Sequence, residues 1–207
     1  MPRPFCVGIA GGSGAGKSAL TAELARALGP ERVLLLAHDA YYRDRPELDP
    51  AARAAQNFDH PDALETELLV AQLDLLRAGH AVAVPSYDFA LHRRRAETRR
   101  AEPHDLVVID GLLVLSDAAL RARLDLRVFV TASLAHRTER RLARDVAERG
   151  RSPESVLAQL AATVQPMHDA FVEPSRAHAD LVVANDAELA AAAAPLIARV
   201  RALLQAG

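Results

Sequence analysis

Short apolar runs rich in β-branched residues alternate along the chain with longer segments whose apolar residues recur at helical spacing. That alternation predicts β-α-β units around a parallel sheet. Runs at 5–10, 33–37, 106–109 and 126–130 read as buried strands, with 181–183 as a fifth. Helical periodicity covers 17–28, 61–77, 132–148, 153–167 and an alanine-rich tail at 186–204. Within the second helix, Leu64, Leu68, Leu69, Leu73 and Leu76 form a stripe that reads as core. Pro195 lies inside the tail and must either kink that helix or open a new one. Residues 85–100 read as a hairpin with an arginine-rich return, part of an insertion at about 80–102 placed over a site.

The first strand runs directly into GGSGAGKS at 11–18, which satisfies G-x-x-x-x-G-K-[ST] with a helix following, the context this motif requires. Gly11, Gly12, Ser13, Gly14, Ala15 and Gly16 let the backbone wrap a phosphate with its N–H groups inward, and the following helix adds its positive end. Lys17 then reaches the β and γ phosphates as a compact cation, and the Ser18 hydroxyl ligates Mg2+. The strand LVVI ends at Asp110, a second candidate Mg2+ ligand beside the loop, held directly or through water. These residues predict a three-layer α/β P-loop fold with a mostly parallel sheet, helices on both faces and ATP as phosphate donor.

Composition sharpens this picture. Of 25 basic residues Lys17 is the single lysine, so a chain otherwise committed to arginine keeps a compact ammonium in the cradle. The same count excludes the N-K-x-D guanine motif, and with it a GTPase switch. A net charge of −2 gives no global positive field for nucleic acid, so small-molecule partners are expected. The 207 residues suit a single domain. No window offers about 18 consecutive apolar residues, and the N-terminal stretch lacks a signal peptide's apolar core and cleavage site. The lone Cys6 sits in an apolar run and forms no internal disulfide, which suits a reducing cytoplasm.

Several polar positions carry candidate acceptor chemistry. Asp39 follows the second strand, at the edge where α/β sheets bind ligands, and reads either as a proton acceptor or as an Asx turn. Asp59 precedes Pro61 and reads as a cap for the helix beginning there. Tyr87 and Phe89 share one strand face and His92 can return toward it, enclosing a planar base; ordinary aromatic packing is the alternative. Arginines at 137, 140, 141, 144, 149 and 151 follow, with Arg141–Asp145 and Arg144–Glu148 spaced as i,i+4 pairs. They read either as a solvated helical face or as a phosphate-closing lid over about 137–160, in which Gly150 follows the arginine-rich helix end. A second cluster, Arg93, Arg94, Arg95, Arg99 and Arg100, lies on the hairpin.

The segments HDAYYRD (38–44), NFDHPDAL (57–64), PSYDFALHRR (85–94), RDVAERGR (144–151) and QPMHDAFVEPSRAHADLVV (165–183) resemble the uridine-cytidine kinases, in order and with similar spacing. The resemblance implies ATP- and Mg2+-dependent phosphorylation of the 5′-hydroxyl of uridine or cytidine. It implies that Asp39 is the catalytic base, with Lys17 and Arg144 also catalytic, and that Arg149 and Arg151 face donor phosphates. Asp59 would bind the ribose hydroxyls, Tyr42, Phe58, Tyr87, Phe89 and His92 would surround the pyrimidine, and Arg141 and Gln159 would contact the nucleoside. A neutral His92 can donate to uracil O4 or accept from cytosine N4–H, according to its tautomer. A tetramer is also implied. Three departures stand out: Asp110 replaces the usual glutamate, Thr131 stands where relatives often have aspartate, and ANDAEL replaces a proline- and glycine-rich donor loop. A related sugar or vitamin kinase, phosphoribulokinase-like or pantothenate kinase-like, is the alternative enzyme, and a nucleotide-binding regulator the non-enzymatic one.

Overall fold

The computed structural model describes residues 3–206. Its strands are β1 (Phe5–Gly11), β2 (Val33–Ala37), β3 (Val82–Val84), β4 (Tyr87–Asp88), β5 (Arg93–Arg94), β6 (Arg99–Ala101), β7 (Leu106–Asp110), β8 (Leu126–Thr131) and β9 (Leu181–Ala184). Strands β2-β7-β1-β8-β9 form one parallel sheet, and each begins and ends within a residue of its apolar run. Helices are α1 (Lys17–Leu28), α2 (Pro50–Ala54), α3 (Thr66–Arg77), α4 (Ala118–Arg121), α5 (Leu134–Arg149), α6 (Pro153–Gln159), α7 (Gln165–Met167), α8 (Glu173–Ser175) and α9 (Leu189–Ala206). None is long and apolar enough to cross a membrane among the described residues.

Alternation along each strand feeds two apolar layers, one on each face. Val107 and Ile109 of β7 join α3 through Leu69, Leu73 and Leu76, while Leu106 and Val108 join α1 and α9 through Leu20, Leu24, Leu196 and Val200. Each of these leucines contributes about 1.5–3 kcal/mol by leaving water. The three-layer P-loop architecture expected from the motif is therefore present.

Two predicted helices take different forms. The segment 61–77 is not one helix: Pro61–Ala63 is a 3₁₀ turn, Leu64 is extended at φ −105° and bridges to Tyr42, and α3 begins only at Thr66. Leu64 still reaches the core, from this bridge rather than from a helical face. The helix expected over 153–167 continues in irregular turns to His178, with π turns at Leu160–Val164 and His168–Val172. Each π turn ends two residues before a proline, Pro166 or Pro174, whose ring and missing N–H disturb the carbonyl four residues back; a widened turn accommodates both. Pro195 is carried inside α9 as one helix.

The hairpin is two nested antiparallel ladders, β3 with β6 and β4 with β5. Its arginines are individually neutralised or capped. Arg94 pairs with Glu65 at 2.6 Å, Arg95 with Asp88 at 2.8 Å, Arg93 with Asp44 at 4.0 Å and Arg100 with Glu102 at 2.7 Å. Arg99 donates to the Leu35 carbonyl of edge strand β2 at 3.1 Å.

Candidate active site

Three neighbouring strands deliver the catalytic candidates to one edge. β7 lies between β1 and β2, and Asp110 at its end is in register with Ile9 and Ala37. The phosphate loop, Asp110 and the turn His38–Tyr41 that carries Asp39 thus leave the carboxyl edge of the sheet together.

Gly14 and Gly16 sit at φ 77° and 89°, left-handed values that disfavour any residue with a Cβ, and a Cβ on Gly16 would strike the Asn185 side chain. Lys17 is buried, and its Nζ donates to the Gly12 carbonyl at 3.1 Å. Burial lowers its pKa, Asp110 opposes that shift and Arg144 adds to it. The Ser18 hydroxyl donates to Asp110 Oδ2 at 2.6 Å. Asp39 is half-buried, and its carboxyl is held above the ordinary value by burial first and Asp110 second, against Lys17.

The aromatic residues form a chain of ring contacts. Tyr42 meets Phe58 edge-on at 5.1 Å and Tyr87 at 5.3 Å, while Phe58 stacks on His92 at 4.9 Å and 19°. Phe89 lies one residue beyond β4 rather than on it, 42% exposed, and keeps an edge-to-face contact with Tyr87 at 5.3 Å. His92 has φ 50°, the one positive value outside glycine among the described residues. That strain sits at the tip of the loop, where Asp88 Oδ1 accepts from the N–H groups of Ala90 and Leu91 at 3.0 and 3.1 Å. Burial, with Arg151 and Arg149 close by, keeps the His92 imidazole below its usual pKa. Asp59 is buried and does not cap the turn at Pro61; His60 does, its Nδ1 accepting from Asp62 N–H at 3.2 Å. Burial raises the Asp59 pKa, with Arg141 opposing.

The arginine segment is organised by an acid that sequence spacing undervalues. Asp145, wholly buried, lies within 4 Å of Arg141, Arg144, Arg149 and Arg151. Arg144 turns to Asp145 at 2.8 Å instead of pairing with Glu148. Gly150, left-handed at φ 61°, closes α5 and folds the chain back, so that Arg151 N–H donates to the Asp145 carbonyl at 3.2 Å. Gln159 Oε1 accepts from Arg141 and Arg151 at 2.9 and 2.6 Å, and Arg141 also donates to Ser13 Oγ at 2.6 Å. Arg149 lies over the Phe89 ring at 5.5 Å, joining this segment to the hairpin.

One cavity of about 710 Å³ joins these groups. Lys17, Ser18, Asp39 and Asp110 line one part, and Tyr42, Phe58, Asp59, Tyr87, Phe89 and His92 another. Arg141, Arg144, Arg149, Arg151 and Gln159 line it as well. Ser13 and Gly14 reach the cavity, whereas Gly11, Gly12, Ala15 and Gly16 shape the loop behind them. Sequence reasoning missed Asn185, whose buried side-chain amide donates to the Ala15 carbonyl at 2.8 Å while its backbone carbonyl accepts from Arg140 at 2.9 Å. Arg137 and His168 pack against Gly12; sequence reasoning has Arg137 only among the lid arginines and does not single out His168. ANDAEL marked that stretch as unusual, but nothing in the chain linked it to the loop.

The family model for "Phosphoribulokinase / Uridine kinase family" matches residues 6–190. The chain belongs to this family. It is 42% identical over 203 residues to a uridine kinase of Chloroflexus aurantiacus, covering 98% of this chain and 97% of that relative. With a uridine kinase of Clostridium perfringens it shares 38% identity over 204 residues, covering 99% and 98%. Phosphoribulokinase of Rhodobacter sphaeroides superposes with a TM-score of 0.61 at 15% identity, over 88% of this chain and 70% of that one, a likeness of fold.

Proposed function

We propose that this family member transfers the γ-phosphate of ATP to the 5′-hydroxyl of uridine or cytidine. The observation that carries the reading is the single cavity that joins a phosphate loop to an aromatic cluster, with Asp39 and Asp59 along it. A sugar phosphate needs no such aromatic enclosure, whereas a pyrimidine gains from stacking and from a neutral imidazole that offers one donor and one acceptor. The names of the full-length uridine kinase relatives support the same acceptor.

In this reading Asp39 accepts the acceptor hydroxyl's proton, and burial with Asp110 close by holds its carboxyl above the ordinary value, which makes it a stronger base. Lys17 and the backbone N–H groups of residues 11–16 hold the donor phosphates. Arg144, Arg149 and Arg151 face the transferring and donor phosphates, while Arg141 and Gln159 reach the nucleoside. Asp59 binds the ribose hydroxyls, and Tyr42, Phe58, Tyr87, Phe89 and His92 enclose the base.

The donor set fits Mg2+. Ser18 Oγ and Asp110 Oδ2 lie together as hard oxygen ligands, and no group of three His, Cys, Asp or Glu forms an all-protein cage among the described residues. Two protein oxygens completed by phosphate and water are what Mg2+ prefers. Bound there, the ion neutralises phosphate charge. We further read the chain as one catalytic domain, acting in the cytoplasm as a tetramer. Light scattering at four times the 22.2 kDa chain mass would support that assembly, and a monomer mass would refute it.

The test is ADP release with ATP and Mg2+ against a panel of nucleosides, ribulose 5-phosphate and pantothenate. Turnover with uridine or cytidine is expected. Turnover confined to a non-nucleoside acceptor would sink the reading.

A further inference from the structure

Helix α5 buries charge where most helices bury apolar side chains. Its buried residues are Arg137, Arg141 and Asp145, spaced four apart along one stripe, while Leu134 and Val146 are 54% and 40% exposed. A buried apolar stripe would hold such a helix more simply, so the inward charges need another reason.

Asp145 gives the stripe its shape. Its Oδ1 accepts from Arg144 Nε at 2.9 Å and lies 2.8 Å from Arg144 Nη2 and 3.5 Å from Arg149 Nη1. Its Oδ2, buried and without a hydrogen bond, faces Arg141 Nε at 3.5 Å and Arg151 Nη1 at 3.6 Å. The two oxygens thus differ: one holds Arg144 firmly, and the other attracts two arginines whose hydrogen bonds go elsewhere, to Ser13 and Gln159.

We propose that Asp145 is a positioning residue for phosphoryl transfer, gathering Arg141, Arg144, Arg149 and Arg151 into one cationic cluster over the cavity before either substrate arrives. Four guanidinium groups converging on a cavity repel one another, and a solvated arginine would swing outward. A single buried carboxylate at their centre offsets that repulsion and leaves the cluster with a surplus of positive charge. Phosphate then meets cations already in place, with little reorganisation at the moment of transfer. The chain's fold-back at Gly150 serves the same end, because it returns Arg151 to this carboxylate.

This inference rests on the phosphotransfer reading, and its test is built to fail separately. Wild type, Asp145→Asn, Arg144→Gln and the double variant form a cycle, read both as kcat and as the dissociation constant of a non-hydrolysable ATP analogue with Mg2+. Asp145→Asn alone is expected to lower kcat by about 30–100-fold and weaken analogue binding by about 10-fold, within the range for lost positioning. In the Arg144→Gln background the same change should cost several-fold less than it does in wild type, because the arginine that Asp145 holds most firmly is already gone while Arg141, Arg149 and Arg151 remain. Losses that simply multiply would overturn the proposal and leave Asp145 a structural group. Should Asp145→Asn not fold, Asp145→Glu replaces it, keeping the buried charge but displacing it by one methylene, with the same criterion. Failure of every nucleoside acceptor would sink the acceptor reading alone, because the analogue cycle still decides for or against Asp145.

Discussion

Asp39 shows how position sets the chemistry of a single side chain. It leaves the sheet edge beside Asp110 and Lys17, and burial with the neighbouring carboxylate raises its pKa while Lys17 restrains the rise. Only its ionised form accepts a proton, so the acid limb of kcat/KM is expected above the ordinary carboxylate value of about 4. Asp39→Asn removes the acceptor but keeps the shape. It should lower kcat by about 10²–10⁴-fold and leave nucleoside affinity within about 3-fold; near-normal turnover would take Asp39 out of the base role. His92 has the opposite profile. It stacks on Phe58 away from the phosphate loop, so His92→Ala should raise the nucleoside KM by about 10-fold with the ATP KM within about 2-fold, and equal losses would refute a base contact.

At the scale of elements, the turn that carries Asp39 is fastened by its neighbour. His38 is buried at the start of that turn, Nε2 lies 3.0 Å from Thr66 Oγ1 at the first residue of α3, and its Nδ1 has no partner. Burial pushes the imidazole down to about 4, so it stays neutral in the native state while the unfolded chain takes up a proton near 6.5. Stability is therefore full above about pH 6.5 and falls as the pH drops from about 6.5 to about 4, by up to about 3 kcal/mol from this group. Urea denaturation at stepped pH measures the slope, and His38→Gln should flatten most of it. An unchanged slope would assign the loss to other groups. Because the turn, β2 and α3 meet here, mild acid should loosen the turn that carries Asp39 early in unfolding.

For the molecule as a whole, two apolar layers share one sheet, and the cavity draws residues from the phosphate loop, β7, the hairpin, α5 and α6. Such a unit should unfold in one transition, with two separable transitions counting against the single-domain reading. ATP with Mg2+ at 100 times its dissociation constant should stabilise it by about 2.7 kcal/mol, about 5–11 °C in Tm at this size. With a non-hydrolysable ATP analogue in place of ATP, uridine added afterwards should raise Tm further. A shift with uridine but none with ATP would contradict the donor assignment.

Sequence alone determined the sheet, because five short apolar runs have no stable place except between two helical layers, and it determined the phosphate loop, because glycine freedom and one lysine leave few readings of GGSGAGKS. It brought the acceptor residues into view through local segments, but it could not relate them. Only tertiary structure decided that Leu64 leaves the helix to bridge Tyr42, that Phe58 stacks on His92, and that Asn185 reaches Ala15 across 170 residues. Above all, it turned Asp145 from an i,i+4 partner worth a few tenths of a kcal/mol into a buried centre for four arginines. The physical reason is range: periodicity and propensity act within a few residues, whereas burial of a charge depends on everything that closes around it.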